Sequence, residues 1–131
     1  MPAASAFHYA TIRVVPDVER EEFVNAGVLL FCDELGFLGA RIELDPARVR
    51  LLAPNADVPL VEEHLAAIPR VCAGGPDAGP IGLLPMRERW HWLVSPRSSI
   101  IQTSAPHAGL CDDPERVLER LFERMVLRPE R

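Results

Sequence analysis

The segment PRSSIIQTSAPH, residues 96–107, concentrates the side chains most able to do chemistry. Arg97 is a permanent cation with a planar donor fork, and Ser98 and Ser99 add hydroxyls on a tight connection, a set suited to holding phosphate or carboxylate. Gln102 and Ser104 project from one face of an extended strand, and the His107 imidazole could act as acid, base or ligand. With Glu22 nearby, these groups would make a small hydrolase or phosphate-handling site, provided that Arg97 and His107 converge in one pocket. The plainer alternative is a polar turn, with Arg97 paired to a surface carboxylate and His107 hydrogen-bonded in a loop. Ser98 lacks the GxSxG setting of an activated nucleophile. His8, His64, His91 and His107 lack zinc-ligand spacing, and Glu21, Glu22, Glu43 and Asp45 specify no metal. No metal or cofactor is expected.

A second polar feature interrupts an apolar run. In EEFVNAGVLLFC, residues 21–32, Val28 to Cys32 reads as a central strand covered on both sides, yet Asn25 and Gly27 stand at its start. Glycine inside such a pattern marks a bulge or a close backbone approach, and the Asn25 amide can satisfy the loosened backbone. The functional alternative is that Gly27 leaves room for a ligand that Asn25 contacts. Either way the candidate binding residues are Glu22, Asn25, Arg97, Ser98, Gln102 and His107.

The elements that must position these groups follow from periodicity. His8–Val15 (HYATIRVV) is β-prone and ends at Pro16, and Asp33-Glu34-Leu35-Gly36 reads as a hairpin turn. Phe37–Leu44 alternates, with Leu38, Ala40, Ile42 and Leu44 on one face, so three strands form an antiparallel meander. Asp45-Pro46 starts a short helix, and Asp57 caps a second one with Val61, Leu65 and Ile68 in a stripe, kinked or ended by Pro69. Residues 73–80 (AGGPDAGP) read as a turn-rich loop. Arg89–Ser95 alternates as a strand, with Trp90, Trp92 and Val94 on one face, and Ser99–Ser104 is its partner. Asp113-Pro114 opens an amphipathic helix that buries Val117, Leu118, Leu121, Phe122 and Met125. The expected fold is a single α+β domain over 1–131, with tails at 1–6 and 128–131. It carries an antiparallel or mixed sheet of about five strands in the order β-β-β-α-α-β-β-α, with helices packed on it.

Composition narrows the function classes. The chain has 131 residues, 48% apolar and 25% charged, long enough for a real core. Its formal net charge of −5 argues against a nucleic-acid coat, leaving only a local strip of Arg87, Arg89, His91 and Arg97 to support that role. All 14 basic residues are arginine, which excludes a GxxxxGK[ST] phosphate loop and Schiff-base lysine chemistry. Cys32, Cys72 and Cys111 are far apart and form no CxxC pair, which argues against a disulfide framework or zinc knuckle, and Cys32 and Cys72 read as small core hydrophobes. No apolar run approaches the roughly 18 residues of a membrane span. The start MPAASAFHYA lacks signal-peptide features, so a cytoplasmic location is expected.

Three stretches together resemble a bacterial family defined only as domain of unknown function 3037. They are YATIRVVPDVEREEFVNAGVLLFC, FLGARIEL, and WHWLVSPRSSIIQTSAPHAGL followed by DDPERVLERLF. The resemblance runs from about Tyr9 to Val126 and places the family's polar signature on Glu22, Asn25, Gly27, Pro96, Arg97, Ser98, Gln102, His107 and Gly109. It brings no catalytic residues. Genes of that family often neighbour genes for HipA-like kinases, so the resemblance implies a kinase-like protein partner, with a homodimer as a further option. The expectation is a non-enzymatic interaction or regulatory module.

Overall fold

The computed structural model describes residues 4–127. The N-terminal half forms the expected meander: β1 (Ser5–Val14), β2 (Val24–Cys32) and β3 (Phe37–Ile42), paired antiparallel in that order. Four α-helices follow or interleave: α1 (Pro46–Leu52), α2 (Val58–Ala73), α3 (Met86–Leu93) and α4 (Pro114–Met125). A 3-10 segment, Pro76–Leu83, joins α2 to α3, and two short strands, β4 (Ile101–Thr103) and β5 (His107–Cys111), precede α4. Both short strands add antiparallel to the same edge of β1, β4 along its end and β5 along its start. The fold is α+β, a five-stranded antiparallel sheet with helices on both faces.

β2 is buried along nearly its whole length because each face meets a different layer. Leu29 and Phe31 join Ile12, Val14, Val49, Leu65, Ile68, Trp90 and Leu93 beneath α1, α2 and α3. Val28, Leu30 and Cys32 join Phe7, Cys111, Leu118 and Phe122 beneath α4. Burial raises the pKa of the Cys111 thiol, and the neighbouring Cys32 adds to the shift by its charge and a hydrogen bond.

The starts of α1, α2 and α4 obey one chemical rule, while α3 begins after Pro85 without a side-chain cap. Asp45, Asp57 and Asp113 each accept a hydrogen bond from a first-turn N–H, at 3.1, 3.1 and 3.2 Å for Ala47, Leu60 and Arg116, and each precedes a proline in the first turn. The proline has no N–H to leave unpaired there. Asp113→Ala is expected to lower stability by about 1 kcal/mol, read as a lower urea midpoint with unchanged slope.

Four expectations need correction. Arg89–Ser95 is not a strand: residues 86–93 are helical, with Arg89, Trp90 and Leu93 buried and Trp92 39% exposed. The spacing Met86, Trp90, Leu93 is helical and competes with the two-residue alternation of Trp90, Trp92 and Val94; packing of Trp90 on Phe31, with ring centroids 5.6 Å apart, decides it. The partner of β4 is therefore β1, through Ile12, Arg13 and Val14. Second, His107–Cys111 is a strand. Its pattern is muted because Gly109 carries no side chain; a Cβ there would meet Phe7 Cζ at 2.5 Å, so the Phe7 ring covers the position instead. Third, of the two alternatives at Pro69 the ending is excluded, since α2 continues through it to Ala73. Last, β1 starts at Ser5, inside the expected tail 1–6, while the tail 128–131 and residues 1–3 lie outside the described residues.

Candidate binding site

The bulge at the start of β2 organises one side of the candidate region. Pairing with β1 shifts register between Ile12 and Arg13, so that Ile12 faces Gly27, Arg13 faces Asn25 and Ala26 is the extra residue. Gly27 is required by close approach: a Cβ would lie 2.6 Å from the Arg41 carbonyl oxygen, 3.0 Å from Ile42 and 3.1 Å from Ile12. The space is filled by the protein's own chain. Asn25 does not patch the strand backbone. The bulge turns it to the α4 side, where its Nδ2 donates to the Met125 carbonyl at 3.2 Å and ties down the end of that helix.

Arg13 is the residue that sequence reasoning missed. It stands in register with Asn25 on one side and Gln102 on the other, so the three form a row across β2, β1 and β4. Its guanidinium lies 4.1 Å from the centroid of the Phe23 ring. Its Nε and the Asn25 Oδ1 are buried without hydrogen-bond partners. A charged residue inside the apolar run TIRVV was the available signal.

The sequence candidates divide between the two faces. Arg97 is exposed, donates to the Trp92 carbonyl and stacks 4.7 Å over the Trp92 ring. It stands at the mouth of a cavity of about 170 Å³ between α2, α3 and β4. Ile12, Leu29, Ile68, Leu93 and Ile101 line its depth, and His64, Trp92 and Gln102 share its rim with Arg97. Ser98 and Gln102 instead line a second pocket with Arg13, Glu21 and Phe23. Gln102 spans both, with its Nε2 donating to the Ser99 carbonyl at 2.9 Å.

Two candidates stand apart. Glu22 is exposed and accepts from Arg20 Nε at 2.6 Å; that hydrogen bond, and then the carboxylate charge, raises the Arg20 pKa. His107 stacks on Tyr9 with ring centroids 5.1 Å apart, on the α4 face. Arg97 and His107 thus face opposite sides of the sheet, and the anion-holding site with His107 as acid or base is not assembled. The basic strip is not formed either, since Arg89 is buried and Arg87 pairs with Asp33.

Arg89 has a different task. Its Nη1 donates to the carbonyls of Val71 and Cys72 at 2.8 and 2.7 Å, and its Nε to that of Leu84 at 3.0 Å. It caps the C-terminal turn of α2 with a positive charge where the helix dipole is negative. Gly74, at φ 77°, leaves the room; a Cβ there would sit 3.0 Å from the guanidinium carbon. Burial pushes the adjacent Cys72 thiol up to about 12, against the opposing influence of Arg89.

Among the described residues, no group of three or more His, Cys, Asp or Glu is placed to hold a metal ion, and no helix is long and apolar enough to cross a membrane. Comparison with curated proteins and with solved structures finds no match. The profile of the family described as protein of unknown function (DUF3037) does match, over residues 9–126, and with the meander, the 96–107 segment and α4 all inside that span, the chain belongs to this family.

Proposed function

We propose that this protein is a non-enzymatic interaction module, one domain working in the cytoplasm, that receives an apolar side chain of a partner protein in the cavity between α2, α3 and β4. The observation that carries this reading is the cavity itself. At about 170 Å³, it is close to the volume that admits a benzene-sized group, and its depth is aliphatic. Arg97, held over the ring of the exposed Trp92, offers its remaining donors to an acidic neighbour of that anchor. An aromatic or aliphatic anchor beside an arginine is the usual composition of an energetic centre in protein interfaces. The gene neighbourhood implied by the family resemblance makes a HipA-like kinase the first partner to test. The hydrolase alternative required Arg97 and His107 in one pocket and gains no support from their placement on opposite faces.

The test is capture of the tagged protein from its own host, followed by measurement of the purified pair. Ala67 is an exposed residue of α2 on the cavity wall. Ala67→Phe, which plugs the cavity, and Arg97→Glu are each expected to weaken partner binding at least about tenfold, or about 1.4 kcal/mol. Both variants should keep the native circular dichroism spectrum. Unchanged affinity in both would place the interface elsewhere and overturn the reading.

A further inference from the structure

On the opposite face of the sheet, beyond the end of α4, the second pocket has a volume of about 330 Å³, within the range of small-molecule sites. Two of its walls carry opposite charges, Arg13 and Glu21. They do not form an ion pair with each other, nor does either pair with another charged residue among the described residues. The nearby Arg20 and Glu22 satisfy one another instead. Arg13 is half-buried, and its guanidinium makes no side-chain hydrogen bond among the described residues, while its Nε is fully removed from the surface. The Phe23 ring covers one face of the guanidinium, and its terminal nitrogens, which are not buried, are left to meet an anion.

The backbone at Glu21, the last residue of the turn before β2, is left-handed. It has φ 59°, the one positive φ outside glycine among the described residues. Holding a glutamate in the left-handed region costs on the order of 1–3 kcal/mol, and such residues gather at ligand clamps. Ser98 adds a hydroxyl and Gln102 an amide, while Val15, Val18 and Phe23 supply apolar wall.

We propose that this pocket binds a free α-amino acid, with Arg13 holding the carboxylate, Glu21 the ammonium group and the Phe23 side of the pocket the side chain. Two opposite charges that share a void without touching call for a ligand carrying both complementary charges at short range. A phosphate would meet the repulsion of Glu21, and a simple amine that of Arg13. The pocket is distinct from the protein-partner cavity and shares only Gln102 with it.

The experiment is an amide ¹H–¹⁵N titration of the whole chain with the common amino acids in turn. The best responder is then compared with its deaminated acid and its decarboxylated amine; for valine these are 3-methylbutanoate and isobutylamine. At least one amino acid is expected to shift the amides of Arg13, Glu21, Ser98 and Gln102 saturably. Each half-analogue should bind at least about tenfold more weakly, because it leaves a charged partner unpaired. Arg13→Gln and Glu21→Gln should each weaken binding by a similar factor. Glu21 is exposed, so its variant tests the site even if Arg13→Gln does not fold. No saturable shift with any amino acid would overturn the proposal, as would equal binding of the deaminated acid or unchanged affinity in Glu21→Gln.

Discussion

Arg89→Ala is expected to remove a large share of the domain's stability, about 3–5 kcal/mol. The substitution strips the hydrogen-bond donors from the Val71, Cys72 and Leu84 carbonyls and removes the positive charge at the end of α2. Each buried carbonyl left unpaired costs about 1–3 kcal/mol, so a total of about 3–5 kcal/mol is expected after water enters the gap. A domain of this size holds about 5–15 kcal/mol in all. Urea denaturation followed by far-UV circular dichroism reads the loss directly. Arg89→Lys supplies a single donor centre that cannot reach both sides of the turn, and should recover less than half of the difference. An Arg89→Ala protein with a near-native urea midpoint would show that the carbonyls are satisfied in another way.

Gly27→Ala is the second large effect, expected at about 2–3 kcal/mol of destabilisation. The added methyl meets a backbone carbonyl, Arg41 O at 2.6 Å, and two packed side chains. A carbonyl inside a paired strand cannot turn aside as a side chain can. The sheet would have to part β2 from β3 or undo the bulge, and undoing the bulge would turn Asn25 away from Met125. The variant should therefore lose stability and also loosen the end of α4. Hydrogen exchange checks this: amides near Phe122 to Val126 should exchange faster in Gly27→Ala than in a variant of equal stability altered elsewhere.

The meander and α4 were legible because burial there is one-sided or complete and the period is unambiguous. Leu38 and the other alternating residues of Phe37–Leu44, and the stripe from Val117 to Met125, admit a single reading. The 86–94 segment was not legible, because its tryptophans fit both a period of two and a period near four, and only the contact with Phe31 selects between them. β5 was hidden because its middle residue is covered by the side chain of a strand about a hundred positions earlier. The candidate site fared similarly. Arg97, Ser98 and Gln102 were marked by residue type and do gather around β4, but which face each takes depends on pairing with β1. Arg13 matters through its register neighbours, Asn25 and Gln102, and register across strands this distant is not written in local pattern.

Both strands that complete the outer edge of β1 come from beyond residue 100. A ribosome adding about 5–20 residues per second makes β1 first and then needs several seconds more before β4 and β5 can reach it. The hairpins of β1, β2 and β3 are local and can close in microseconds. For those seconds the nascent chain carries a folded-looking three-stranded ribbon whose first strand has an open edge and whose apolar row of Ala10, Ile12 and Val14 has incomplete cover. Such a ribbon is a template for pairing with any neighbouring chain in the same state. The stretch of synthesis before Ile101 emerges is thus the window in which this protein depends most on chaperone shielding, and slowing translation there would lower its soluble yield more than slowing it later.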